Sequence, residues 1–261
     1  MDKARRQPIV FMYHGVIKDD VEIPPHREAG AQFYDVSLKK FYEQMEFLNR
    51  HNYHVVTHPW DGGTSAAAQP PIVLTFDDGE MNNYDEAWPV LRFCKFPAYF
   101  FITVNRIGRL GYMGWKELRD LSQAGMTIGS HGLNHEFLTN LSPEQLKKEL
   151  LDSRLALEQS LRKEVRAFSV PRGFYNEAIL TMAKDSGYEQ VFVSDENPRS
   201  PLCIGRVAVQ DYWSLRRFEM ALHGEKPLDE KIFDFCKENM KRLLGGRWYN
   251  DVRSTLLKFK K

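Results

Sequence analysis

Cysteine is scarce in this chain of 261 residues: Cys94, Cys203 and Cys236, an odd number set far apart. No disulfide framework and no Cys-x-x-Cys metal site is implied, and a reducing, cytoplasmic compartment is the simplest expectation. Long apolar runs are also missing. Nothing approaches the roughly 18 residues a transmembrane helix needs. The short apolar run from Ile9 to Gly15 is too brief for a signal-peptide core, although an exported protein whose leader had been removed would look the same. An excess of charge of one sign is lacking too. Lys and Arg number 36 against 35 Asp and Glu, a net +1. That balance removes the electrostatic argument for a nucleic-acid partner or a polybasic membrane surface. No repeat at a period of roughly 20–50 residues is found.

What is present is an alternation of two patterns. Short β-branched and aromatic runs predict strands at Ile9–His14, Tyr53–Thr57, Ile72–Phe76, Ala98–Thr103, Met126–Ser130, Ala167–Val170, Gln190–Ser194 and Ile204–Val209. Several are nearly all apolar, as strands buried on both faces are. Between them, helical periodicity covers Ser37–Arg50, Tyr84–Phe93, Trp115–Gln123, Ser142–Leu161, Glu177–Ser186, Tyr212–Leu222 and Glu230–Leu243. Ser142-Pro143-Glu144-Gln145 carries the residues of a capping box. Alternating β and α elements indicate a parallel sheet. So many strands in one chain favour an α/β fold closed into a barrel, with an open doubly wound sheet as the alternative. Residues 61–71, rich in Gly, Ala, Ser and Pro, read as a surface loop, so residues 1–261 form a single domain in this reading.

Two clusters carry chemistry. Leu74-Thr75-Phe76-Asp77-Asp78-Gly79 ends an apolar strand in adjacent carboxylates. In parallel α/β folds, sites are built at such strand ends. Two neighbouring ionised aspartates repel, and a cation is the usual remedy; a simple Asp-Gly turn is the competing reading. Ser130-His131-Gly132-Leu133-Asn134-His135 follows another strand. Its two imidazoles, four residues apart, share one face if the segment turns helically. Asp78, His131 and His135 would then form a set of two histidines and one carboxylate with open positions, suited to Zn²⁺ or another divalent transition metal. Asp77 would remain free as a base.

These two clusters, in this order and each after a buried strand, resemble the first two motifs of the polysaccharide deacetylases with a NodB-type domain, the family 4 carbohydrate esterases. The resemblance runs from Met12-Tyr13-His14-Gly15 to Arg206. It implies a distorted, incomplete (β/α) barrel of about seven parallel strands, an acetylated oligo- or polysaccharide as substrate and one divalent metal, zinc first, with cobalt or nickel as alternatives. It implies Asp77 as general base and Asp78, His131 and His135 as metal ligands. Gly132 stands where the family has Ser or Thr. The third motif departs further: Ser169-Val170-Pro171-Arg172-Gly173-Phe174-Tyr175-Asn176 resembles a variant branch with Pro-x-Gly-x-x-Asn. Ser169 replaces the arginine that steadies the base, which leaves Arg172 or Arg206 to supply the charge. Pro171, Arg172, Gly173, Tyr175 and Arg206 form the expected substrate-binding set. The general acid is expected at His14, as in the branch that includes poly-N-acetylglucosamine deacetylases, rather than at His223, whose place at a helix end already suits a cationic imidazole. The competing functions are a metal hydrolase of a non-sugar amide on the same scaffold and an inactive carbohydrate-binding module.

Overall fold

The computed structural model describes residues 7–18, 27, 31–58, 69–198 and 200–227. Its strands in chain order are β1 (Ile9–Tyr13), β2 (Val16–Ile17), β3 (Val36–Ser37), β4 (Ile72–Phe76), β5 (Tyr99–Ile102), β6 (Thr127–Ser130), β7 (Ala167–Ser169), β8 (Gln190–Val193), β9 (Cys203–Gly205) and β10 (Val207–Ala208). The helices are α1 (Leu38–Arg50), α2 (Trp88–Cys94), α3 (Trp115–Gln123), α4 (Pro143–Leu161), α5 (Glu177–Asp185) and α6 (Leu215–Leu222). β2 and β3 make a small parallel pair. The other strands form one sheet in the order β10-β1-β4-β5-β6-β7-β8-β9, parallel throughout.

The two edges of that sheet are one stretch of chain. β9 pairs with β8, β10 pairs with β1, and only Arg206 separates β9 from β10. The stretch from Cys203 to Ala208 therefore joins the last full strand to the first, and the sheet curls into a nearly closed barrel. The expected single strand Ile204–Val209 is broken at Arg206, whose amide donates to the Asp195 carbonyl instead (3.1 Å).

Alternation along the strands decides what enters the barrel. Val10, Val73, Tyr99, Phe101, Ala167 and Phe192 pack together inside it. Stepping two residues at a time towards the C-terminal ends, the same face passes through Met12 to His14, Thr75 to Asp77, Thr103, Ser169 and Arg206. The apolar plug thus gives way to a polar layer at the mouth. The opposite face packs under the helices, with Phe11, Leu74, Phe76, Phe100 and Phe168 buried in the larger core.

Most helix boundaries follow their caps. Ser37 accepts from the Lys40 amide, Ser142 forms the capping box with Gln145, and Asn176 accepts from the Ile179 amide. Asn176, the last residue of the third motif, is thus a helix cap. Three expectations change. Tyr53–Thr57 forms only a bridge, Val55 to Ile72, because β5 begins opposite Thr75 and leaves only the start of β4 open. Tyr84–Phe93 is not one α-helix: Asn83–Ala87 is a π-helical turn ahead of α2, with the Trp88 amide reaching back to the Asn83 carbonyl. Pro89, with no amide to donate, marks that joint. The helix expected at Tyr212–Leu222 starts at Leu215, where Ser214 caps it. Glu230–Leu243, Cys236 and most of the 61–71 loop lie outside the described residues.

Candidate active site

At the mouth of the barrel, β4 delivers Asp77 and Asp78 and β6 delivers His131. All three are buried, as is His135. The turn after β4 is left-handed at Asp78 (φ 74) and at Gly79 (φ 78). The His131–His135 segment is an irregular loop, not the helical turn the spacing suggested. Left-handed Gly132 (φ 79) and His135 (φ 63) fold it back. Asp and His tolerate that conformation better than most residues, and strain of ~1–3 kcal/mol per site persists only where the surroundings enforce it.

The enforcement is visible. Glu149, buried on α4, accepts from the amides of Leu133 (2.8 Å) and Asn134 (3.0 Å) and from the Asn134 side chain. Ser130 Oγ accepts from the Gly132 amide (3.1 Å). These bonds hold the loop at Gly132, and a Cβ there would meet Glu149 Oε2 at 3.1 Å. Glu149 lies too far along the chain for a spacing argument to reach it.

The donor atoms of Asp78, His131 and His135 lie within 4.8 Å of one another, and His135 Nε2 is 3.2 Å from Asp78 Oδ1. His131 Nδ1 lies 2.8 Å from the Ser169 carbonyl. A carbonyl can only accept, so Nδ1 carries the proton and the lone pair of Nε2 faces the site. Burial, opposed by the nearby aspartates, holds His131 down at about 4, a neutral imidazole at neutral pH. Asp78 is ionised: burial disfavours its charge, but His135, His131 and Arg106 hold its pKa well below the usual range. A deprotonated carboxylate and a correctly oriented neutral imidazole fit a divalent cation on chemistry as well as position.

Asp77 has a different partner. Arg206, itself buried, donates Nη1 to Oδ1 (2.7 Å) and Nη2 to Oδ2 (2.8 Å), and Ser169 Oγ bonds Oδ2 (3.2 Å). The guanidinium also donates to Thr75, Ser169 and the Val193 carbonyl. Burial would raise the Asp77 pKa, but Arg206 and His131 bring it down to about 2. Arg206 therefore supplies the missing charge from behind the carboxylate, with its donors occupied, rather than reaching into solution for a ligand.

Arg172 lies elsewhere. It is exposed, donates to the His135 carbonyl (3.2 Å) and sits over the Phe137 ring. Pro171 is buried in a tight turn with Gly173 (φ 72), and the Tyr175 hydroxyl reaches Asp195 (3.3 Å). A Cβ on Gly173 would fall 1.9 Å from Ser194 Oγ. Gly173→Ala is expected to lower stability by about 1–3 kcal/mol, the scale of a forced left-handed residue, read as a lower denaturation midpoint at unchanged slope.

His14 ends β1 half-buried, its ring 4.9 Å from that of Tyr34 and its carbonyl held by Asn83 (2.6 Å). Its buried Nδ1 has no partner, and it is close enough to bear electrostatically on both Asp77 and Asp78. His223 is the exposed C-cap of α6. Two further residues escaped sequence reasoning. Arg106 donates to Asp78 Oδ1 (3.0 Å), and Arg27 joins Glu80 (2.6 Å) to Asp35 (2.6 Å), bracing the turn beyond Gly79. Among the described residues no helix is long and apolar enough to cross a membrane.

Comparison with known proteins agrees with this architecture. A polysaccharide deacetylase family model matches residues 64–191. The chain is 34% identical over 130 residues to a peptidoglycan-N-acetylglucosamine deacetylase of Bacillus cereus, covering 49% of this chain and 59% of that protein. It is 25% identical over 185 residues to a poly-beta-1,6-N-acetyl-D-glucosamine N-deacetylase of Staphylococcus aureus, 64% of each. The matches span 59–64% of the length of these curated relatives. The fold is shared with the Streptococcus pyogenes deacetylase PplD solved with acetate, at a TM-score of 0.73 and 22% identity over 85% of this chain and 100% of that one. The barrel and both motifs agree with the family match: over residues 64–191 the chain is similar to the polysaccharide deacetylases.

Proposed function

We propose that this chain is a metal-dependent hydrolase that removes N-acetyl groups from an amino-sugar glycan, releasing acetate and leaving a free amine. The observation that carries the reading is the division of labour between adjacent carboxylates: Asp78 faces two imidazoles, while Asp77 faces Arg206. The two relatives named above are named for acetylated amino-sugar polymers, which supports that substrate class. A divalent cation held by Asp78, His131 and His135, zinc first on donor type and cobalt or nickel as alternatives, would supply Lewis-acid polarisation of the acetyl carbonyl and a lowered water pKa when bound.

The chain's own residues do the rest. Asp77 takes a proton from the attacking water. Held at about 2, it is ionised at neutral pH but weakly basic, which is why the chemistry also needs an acidified water. Arg206 fixes both carboxylate oxygens so that one lone pair keeps its aim. The Tyr175 amide is assigned to the developing oxyanion. His14 is assigned as the acid that protonates the departing amine, its ring steadied by Tyr34 and its backbone by Asn83.

The test is acetate release by the purified chain from N-acetylglucosamine oligomers and from peptidoglycan, before and after chelation and metal return. Activity that falls with the chelator and returns with zinc is expected; no release under any metal would overturn the reading. His14→Ala should reduce turnover, while His223→Ala should leave it unchanged. The reverse pattern would move the acid to the C-terminal histidine.

A further inference from the structure

The loop that joins β5 to α3 walls a cavity of about 440 Å³ beside the proposed metal centre. It is tied at both ends to the loops that carry the ligands. The Val104 and Asn105 amides donate to the carbonyls of Gly132 (3.1 Å) and Leu133 (2.9 Å), and the Met81 and Met113 amides donate to those of Gly111 (2.8 Å) and Gly79 (3.0 Å). Main-chain bonds therefore fix this wall relative to Asp78, His131 and His135.

The lining is one-sided in charge. Arg106 and Arg109 line it with Thr103, Asn105, Tyr112 and Asn134, and no acidic side chain does. Arg106 is held on Asp78 at 3.0 Å. Arg109 is exposed and has no carboxylate partner among the described residues. Thr103 is 1% exposed, and its hydroxyl has no hydrogen-bond partner. A cation on Asp78 would share that carboxylate with Arg106 and leave the cavity more positive. A concave surface with a free guanidinium fork, an unanswered hydroxyl and no acid selects an anionic acceptor. Several of the loop's amides are bonded within the protein, so the donors on offer are side chains, and a planar carboxylate matches the arginine fork.

We infer that this cavity is a subsite for a carboxylate on a sugar next to the acetylated residue. The inference rests on the deacetylase reading and deepens it: the glycan is acidic. A lactyl ether on an amino sugar and a uronic acid both present the group.

The test compares three N-acetylglucosamine-containing tetrasaccharides with the zinc-loaded chain: a neutral one, one bearing lactyl ethers and one alternating with uronic acid. Acetate release and calorimetric binding are both measured at low salt. At least one acidic set should exceed the neutral set about tenfold in kcat/KM, the scale of one charged hydrogen bond. The preferred one identifies the source. Arg109→Gln should remove the preference through KM while leaving the neutral substrate unchanged, and Arg109→Lys should restore part of it. A neutral preference, or an equal loss on all three sets in Arg109→Gln, overturns the inference. If no set releases acetate with zinc, cobalt or nickel, the deacetylase reading fails, and binding decides the subsite separately. Arg109-dependent binding of an acidic set upholds it; equal binding of all three removes it.

Discussion

Asp77→Asn should keep its metal and lose acetate release by about 10²–10⁴-fold, the usual worth of a positioned general base. The substitution preserves shape but removes the acceptor. An amide keeps one oxygen for the Arg206 fork and presents an NH₂ group, which cannot take a proton, where the second oxygen stood. His131→Ala separates the two functions: it should lose metal and activity together, because Nε2 of His131 belongs to the donor set around Asp78. Metal content, thermal unfolding and turnover measured on both variants distinguish these outcomes. The wild-type pH profile gives a second check. With Asp77 held at about 2 by Arg206 and His131 against its burial, its protonation should produce no acid limb above about pH 4. Full activity in Asp77→Asn would make the aspartate a turn residue and remove the mechanism.

The sequence exposed this site to the extent that its residues sit next to one another on strands. Asp77 and Asp78 follow an apolar run and His131 follows a second predicted strand, and alternation then aims Asp77 and His131 into the mouth. What holds them could not be read the same way. Whether Arg172 or Arg206 faces Asp77 depends on the sheet closing on itself at the break between β9 and β10, a long-range pairing with no local signal. The two histidines share one point through left-handed residues at Gly132 and His135 rather than through a helical turn. Glu149 holds the loop amides from a helix whose periodicity shows it only as a polar position. The π-helical turn that places Asn83 on the His14 carbonyl is likewise invisible to a reading based on a 3.6-residue period.

Arg206→Met should be the most destabilising single change at the site, by about 3–5 kcal/mol, because it leaves a buried carboxylate without its counter-charge. The side chain is 1% exposed and bonds both oxygens of Asp77, and its backbone interrupts the stretch that joins the sheet's edges. Methionine fills similar volume, so the loss measures the charge more than a cavity. The sign of the pH dependence follows. In the wild type, the folded Asp77 pKa lies below its unfolded value of about 4, at about 2. Its contribution is therefore present above pH ~4 and lost as pH falls through ~2. Without Arg206, burial dominates and the Asp77 pKa rises, so the variant regains relative stability as the carboxyl takes up its proton. The gap between wild type and variant should narrow on acidification, and the double variant Arg206→Met with Asp77→Asn should be more stable than Arg206→Met alone. Chemical denaturation of the metal-free chain from pH 7 down to pH 4 reads all three. A loss under about 1 kcal/mol, constant with pH and untouched by the second substitution, would mean that Arg206 closes the barrel without holding the base.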